Sequence, residues 1–144
     1  PAVEYIAHFL GETQQKYTQR GGTRPFGVST FLTGFADGVP ALYQTEPSGA
    51  VGQWKASAIG KKSKELREFL EEKYTEGLNQ AATMRLAIET LLEVVESEKS
   101  IELCIVKAGN VSEMVSEARI HAVVAEITAE KEAKEEEKRN RVAA

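Results

Sequence analysis

Aspartate occurs once in this chain of 144 residues, at Asp37, and histidine twice, at His8 and His121. A Ser-His-Asp relay would have to be built around that one aspartate or borrow a glutamate. Asp37 precedes Gly38 and Pro40, a composition in which an aspartate serves a turn rather than a base. Neither histidine belongs to an H-E-x-x-H helix, and both read as surface or packing residues, not zinc ligands. Gly21-Gly22 and Gly27 lack the Gly-Lys-Ser/Thr continuation of a phosphate loop. Cys104, the only cysteine, excludes an internal disulfide and a multi-cysteine zinc site, and its alternating neighbours predict inert packing. Pro1 carries a secondary amine of the kind that serves as a base in tautomerases, but those place it at the head of a strand, whereas Val3, Ile6, Ala7 and Leu10 follow a helical period. The glutamates fall mainly opposite apolar stripes, as a solvated helix face requires. These readings predict no catalytic, cofactor or metal site.

Composition narrows the classes further. At 42% hydrophobic residues the chain has the size of one domain and one core, able to bury roughly two-thirds of its unfolded surface. A formal charge of -4, with no stretch of unmatched Lys or Arg, argues against nucleic-acid binding. No apolar run approaches the roughly 18 residues of a membrane span, and no signal peptide's basic start opens the chain, so an intracellular location is expected. A chain that opens at the first turn of a helix, without an initiator Met, reads as a fragment or a processed product.

The elements that must position these residues follow from periodicity. Val3, Ile6, Ala7, Leu10 and Tyr17 form one helical stripe, stopped by Gly21-Gly22. Residues 26–35 are β-branched and aromatic and predict a buried strand. Asp37-Gly38 predicts a hairpin to a partner strand over 41–45, and Glu46-Pro47-Ser48-Gly49 a tight turn into a third strand over 51–59. After Gly60 the period becomes 3.6. Leu66, Phe69, Leu70 and Tyr74 share one helix face with Ser63 as its cap, and Met84, Ala87, Ile88, Leu91 and Val95 share a second, together predicting a helical hairpin. Ile101, Leu103 and Ile105 alternate as a strand, Gly109-Asn110 turns into another over 111–115, and a last helix starting near Ser116 presents Ile120, Val123, Val124 and Ile127. The packing part is expected to end there: 1–128 reads as the folded domain and 129–144 as a charge-balanced helical or frayed tail. The order describes an α+β fold, an antiparallel sheet covered on one face by helices.

Several segments together resemble a known family. Arg24-Pro25-Phe26-Gly27-Val28-Ser29, Leu42-Tyr43-Gln44-Thr45-Glu46-Pro47-Ser48-Gly49, Trp54-Lys55-Ala56 and Ala58-Ile59-Gly60 stand in the order and spacing found in proteasome alpha-type subunits. Val3-Glu4-Tyr5-Ile6 upstream, and Arg67 to Tyr74 and Leu91 to Val95 downstream, extend the likeness along nearly the whole chain. Arg-Pro-Phe-Gly and Glu-Pro-Ser-Gly are similar to alpha-type rather than beta-type chains, and among paralogues the sequence most resembles the one placed fourth in the ring. The Phe35-Ala36-Asp37 junction and the loop from Thr75 to Thr83 depart from the family's pattern.

The resemblance implies an Ntn-hydrolase-like αββα sandwich, of which this sequence would supply roughly the C-terminal half. It implies a non-catalytic structural and gating subunit of the proteasome core particle, in an outer heptameric ring that controls substrate entry for ubiquitin-dependent degradation. The implied partners are other alpha-type subunits, beta-type subunits and regulatory caps, in cytoplasm and nucleus, with no cofactor, nucleic acid or membrane. Arg24, Pro25, Phe26, Gly27, Glu46, Pro47, Ser48, Gly49, Trp54 and Gly60 would be structural motif residues. A stand-alone α+β adaptor recruiting partners through its charged C-terminal helix is the alternative.

Overall fold

A computed structural model describes residues 2–143, and Pro1, with the amine weighed above, lies outside them. Where one core was expected, the chain divides into two compact units, 1–68 with 105–113, and 69–104 with 114–144. The first unit is built on helix α1 (Val3–Gln19) and strands β1 (Thr30–Ala36), β2 (Val39–Thr45) and β3 (Val51–Trp54), an antiparallel sheet in the order β1-β2-β3. Helix α1 packs on all three strands through Ala7, Gly11 and Gln14, which recur on one face. The predicted stripe is therefore partly displaced: Val3 and Ala7 share the contact, Ile6 and Leu10 flank it half-buried, and Tyr17 is exposed. At Gly11 the helix backbone lies so close to the sheet that a side chain has no room: a Cβ there would stand 2.4 Å from a methyl of Val51.

The β1–β2 hairpin turns through Asp37 and Gly38, both at positive φ (51° and 76°), as a two-residue primed turn requires. Its register pairs Ala36 with Val39 and Phe35 with Pro40. Hydrogen-bonded and open pairs alternate in an antiparallel ladder, so Pro40 falls at an open pair with β1 and its missing N–H faces the β3 side. The strand expected over 51–59 ends at Trp54, paired with Leu42, because two residues further on the ladder would need a donor that Pro40 lacks. Strand β1 likewise starts at Thr30 rather than at Phe26, where it was expected. Thr30 pairs with Thr45, after which β2 turns away through Glu46–Gly49, so residues 26–29 have no partner strand.

Strands β4 (Cys104–Lys107) and β5 (Val111–Met114) form a separate two-stranded ribbon. Its turn places the Asn110 side chain on the outer edge of β1, where Oδ1 accepts from Phe35 N–H at 2.7 Å and Nδ2 donates to Phe35 C=O at 3.4 Å. A carboxamide thus takes the place of a neighbouring strand. Gly34 is what admits it, since a Cβ there would stand 2.9 Å from Asn110 Oδ1 and 2.3 Å from a methyl of Val3. Cys104, predicted to be packed, is exposed: a two-stranded ribbon leaves one of its faces uncovered.

Helix α2 (Ser63–Lys73) runs from the first unit into the second, burying Leu66 and Leu70. Ser63 is not its cap but its first residue, its N–H bonded to Gly60 C=O at 3.2 Å. In the second unit α3 (Gln80–Leu92) is capped by Asn79, whose Oδ1 accepts from Ala82 N–H at 2.8 Å. The expected pairing of α3 with α2 is replaced by packing along α4 (Glu117–Ala143). The sequence pattern could not foresee this, because α3, which buries Met84 and Ile88, packs on a helix some forty residues later that buries Ile120, Val124 and Ile127. Ion pairs flank the contact, Arg85 with Glu130 at 2.6 Å and Lys131 with Glu93 at 3.0 Å. Each fully buried isoleucine contributes roughly 1.5–3 kcal/mol, so Ile88 and Ile127, both essentially inaccessible, anchor this unit. From Thr128 through Val142, α4 is exposed.

Candidate interaction surface around helix α1

Two of the motif segments, Arg24–Gly27 and Glu46–Gly49, gather around the C-terminal half of α1, and the local chemistry explains how each is held. Glu46-Pro47-Ser48-Gly49 is a closed turn: Gly49 N–H donates to Glu46 C=O at 2.9 Å and Glu46 N–H to Ala50 C=O at 3.0 Å. Pro47 supplies the fixed φ of the second position, and Gly49 sits at φ +89°, where a side chain would be strained. Ser48 Oγ accepts from Ala50 N–H at 3.3 Å. The turn abuts α1 backbone to backbone. A Cβ on Gly49 would meet Gly11 C=O at 2.6 Å, and one on Gly11 would meet Gly49 C=O at 2.9 Å.

From this turn a polar chain leads across the unit. Gln44 Nε2 donates to Glu46 Oε1 at 3.5 Å, and Gln44 Oε1 accepts from Ser57 Oγ at 2.9 Å. Ala58 C=O then accepts from Arg67 Nη1 at 3.0 Å, tying the start of α2 to the segment that follows β3. Gly60, at φ +94°, makes the bend into α2. Trp54, 45% exposed, folds its indole over Gly52 two residues earlier, where a Cβ would lie 3.0 Å from Nε1.

Arg24-Pro25-Phe26-Gly27 is an exposed loop held from two sides. Gln14 Nε2 donates to Val28 C=O at 3.2 Å, and the Phe26 ring meets Tyr17 edge to face at 4.9 Å. Tyr17, Thr23 and residues 24–28 line an open groove of about 670 Å³. Phe26 and Val28 remain 36% and 52% exposed. The structure brings Arg24–Gly27 and Glu46–Gly49 to the same helix, a placement absent from the sequence reading, which also missed Gly11 and Gln14, the residues that receive them. A glycine and a glutamine inside an amphipathic stripe are the only sequence signal for that role.

The residues weighed for chemistry lie elsewhere. Asp37 is exposed in the β1–β2 turn, His8 Nε2 lies 3.9 Å from Glu4 on the outer face of α1, and His121 Nδ1 lies 2.5 Å from Glu98. Among the described residues no group of three or more His, Cys, Asp or Glu could hold a metal ion, and no helix is long and apolar enough to cross a membrane. What the arrangement can do is position surface: a rigid turn and a loop, both fixed to one helix, present aromatic and apolar side chains to solvent.

Comparison with known proteins agrees with the family resemblance. A family model described as "Proteasome subunit" matches residues 1–106. The chain is 46% identical over 142 residues to "Proteasome subunit alpha type-7" of Dictyostelium discoideum, covering 97% of this chain and 56% of that protein. It is 52% identical over 140 residues to the protein of the same name from Solanum lycopersicum, covering 95% and 54%. To "Proteasome subunit alpha type-8" of Mus musculus it is 49% identical over 140 residues, covering 94% and 56%. The chain thus spans about half the length of the curated relatives it matches.

Proposed function

The chain belongs to the proteasome subunit family, among its alpha-type members, and from that membership we propose that it is part of a non-catalytic subunit of the proteasome core particle. The observation that carries the reading is identity near one half along almost the entire chain to alpha-type subunits of an amoeba, a plant and a mammal. In this reading the subunit stands in the outer alpha ring, beside other alpha-type subunits, against beta-type subunits and beneath regulatory caps. There it restricts substrate entry for ubiquitin-dependent degradation in cytoplasm and nucleus. The fold supports such a role through the exposed aromatic and apolar side chains fixed around α1, since large apolar groups held rigidly in water are characteristic of surfaces that other subunits cover.

Native mass spectrometry of material from the protein's own source tests the proposal. The expected result is a stacked-ring particle that releases a subunit containing this sequence. Recovery of the chain only as a small free species would overturn the ring reading and favour a stand-alone adaptor.

A further inference from the structure

A second groove, of about 580 Å³, lies wholly within the second unit at the foot of α4, between residues 98–102, 114–115 and 117–121. It is large enough to take one or two side chains of a partner. Its floor is apolar: Ile101, Val115 and Ile120 are buried beneath it, and Val115 N–H is fixed to Leu103 C=O at 2.8 Å. At its lip Met114 is 63% exposed, an unbranched, polarisable side chain suited to an irregular apolar ligand.

The rim carries Glu98, Glu102 and Glu117 against one lysine, Lys99. Glu98 is engaged by His121 Nδ1, whereas Glu102 and Glu117 have no side-chain partner among the described residues. A helix N-terminus normally favours an anion, but here the demand is met from within. Glu117 places its charge in the first turn, and Ser116 Oγ accepts from Arg119 N–H at 3.4 Å. The groove therefore offers apolar contact inside and unpaired negative charge outside.

We propose that this groove docks a segment of a partner protein in which lysine or arginine flanks an aliphatic side chain, the aliphatic group seated against Met114 and Ile101 and the cations on Glu102 and Glu117. The proposal does not rest on the ring reading, because it concerns a surface complete within residues of this chain.

The test is a titration of the methyl-labelled chain with the peptide acetyl-Lys-Leu-Lys-Leu-Lys-amide, followed by NMR. Saturable shifts are expected at the Met114, Ile101 and Ile120 methyls, with Met84, on α3 of the same unit, unmoved. Reversing both free carboxylates, Glu102→Lys with Glu117→Lys, is expected to weaken binding about fivefold or more, and added salt to weaken the parent likewise. Both positions are exposed, and because Glu117→Lys puts a cation in the first turn of α4, Glu102→Lys alone, which should also weaken binding, is titrated beside the double variant, with circular dichroism checking the fold of each. Equal binding of a peptide with glutamate in place of lysine, shifts centred on the α4 tail, the same methyls moving with calcium chloride alone, indifference to the double reversal, or no shift would each overturn it.

Discussion

Replacing Gly49 with alanine puts two separable stresses on one position. The residue sits at φ +89°, where a side chain costs roughly 1–2 kcal/mol. The new methyl would also stand 2.6 Å from Gly11 C=O and 2.7 Å from Gln15 Cβ, both parts of α1 that cannot swing aside as a flexible side-chain end would. Forcing such a contact in a packed region costs a further 1–3 kcal/mol or so, for a total of about 2–5 kcal/mol. That is a large share of the roughly 5–15 kcal/mol stabilising an ordinary domain. Gly38→Ala supplies the reference, since Gly38 has φ +76° with nothing within 4 Å of the place its methyl would occupy, and should show the backbone cost alone. Urea unfolding followed by circular dichroism reads both, with slopes compared to confirm that the unfolding transition is unchanged in kind. Equal losses for Gly49→Ala and Gly38→Ala would refute the claim that the Glu46–Gly49 turn is packed directly on the helix backbone.

Two further outcomes test the same unit. Thr45 is fully buried with its Oγ1 unpartnered among the described residues, so Thr45→Val should stabilise the chain by about 1 kcal/mol, read as a higher urea midpoint; a loss of that size would mean the hydroxyl is satisfied. Asn110→Gly keeps a residue tolerant of φ 58° but removes the carboxamide from the β1 edge. Hydrogen exchange of the Phe35 amide should then accelerate by about tenfold, as for an edge group losing roughly 1–1.5 kcal/mol of protection, while amides of β2 change little.

How much of this is legible in the sequence depends on how far along the chain each cause lies. The Asp37-Gly38 hairpin and the Glu46–Gly49 turn are readable because the residues that need positive φ are the residues that make the turn. The early end of β3 is readable in principle but requires the register: a proline at position 40 cannot donate, yet only its pairing opposite Phe35 shows that the missing donor faces β3 and not β1. The pairing of α3 with α4, the exposure of Cys104 and the capture of the β1 edge by Asn110 are not readable. The first and the last depend on contacts between segments separated by tens of residues, where local periodicity carries no information, and the second on which face of the β4–β5 ribbon is left uncovered.

The motif residues themselves divide by what consumes them. Pro47 and Gly49 are spent internally, on closing a turn against Gly11, and Gly60 on a bend, so their physical demand is complete within the chain. Phe26 and Trp54 are different. Phe26 is oriented by Tyr17 and Trp54 by Gly52, yet both rings keep more than a third of their surface in water. Folding alone gives no return for ordering such surface, because an aromatic ring stabilises through the area it removes from water. A rigid scaffold that holds aromatic groups outward is better accounted for by association than by the stability of the free chain, which is why the alpha-ring proposal and the geometry around α1 point the same way.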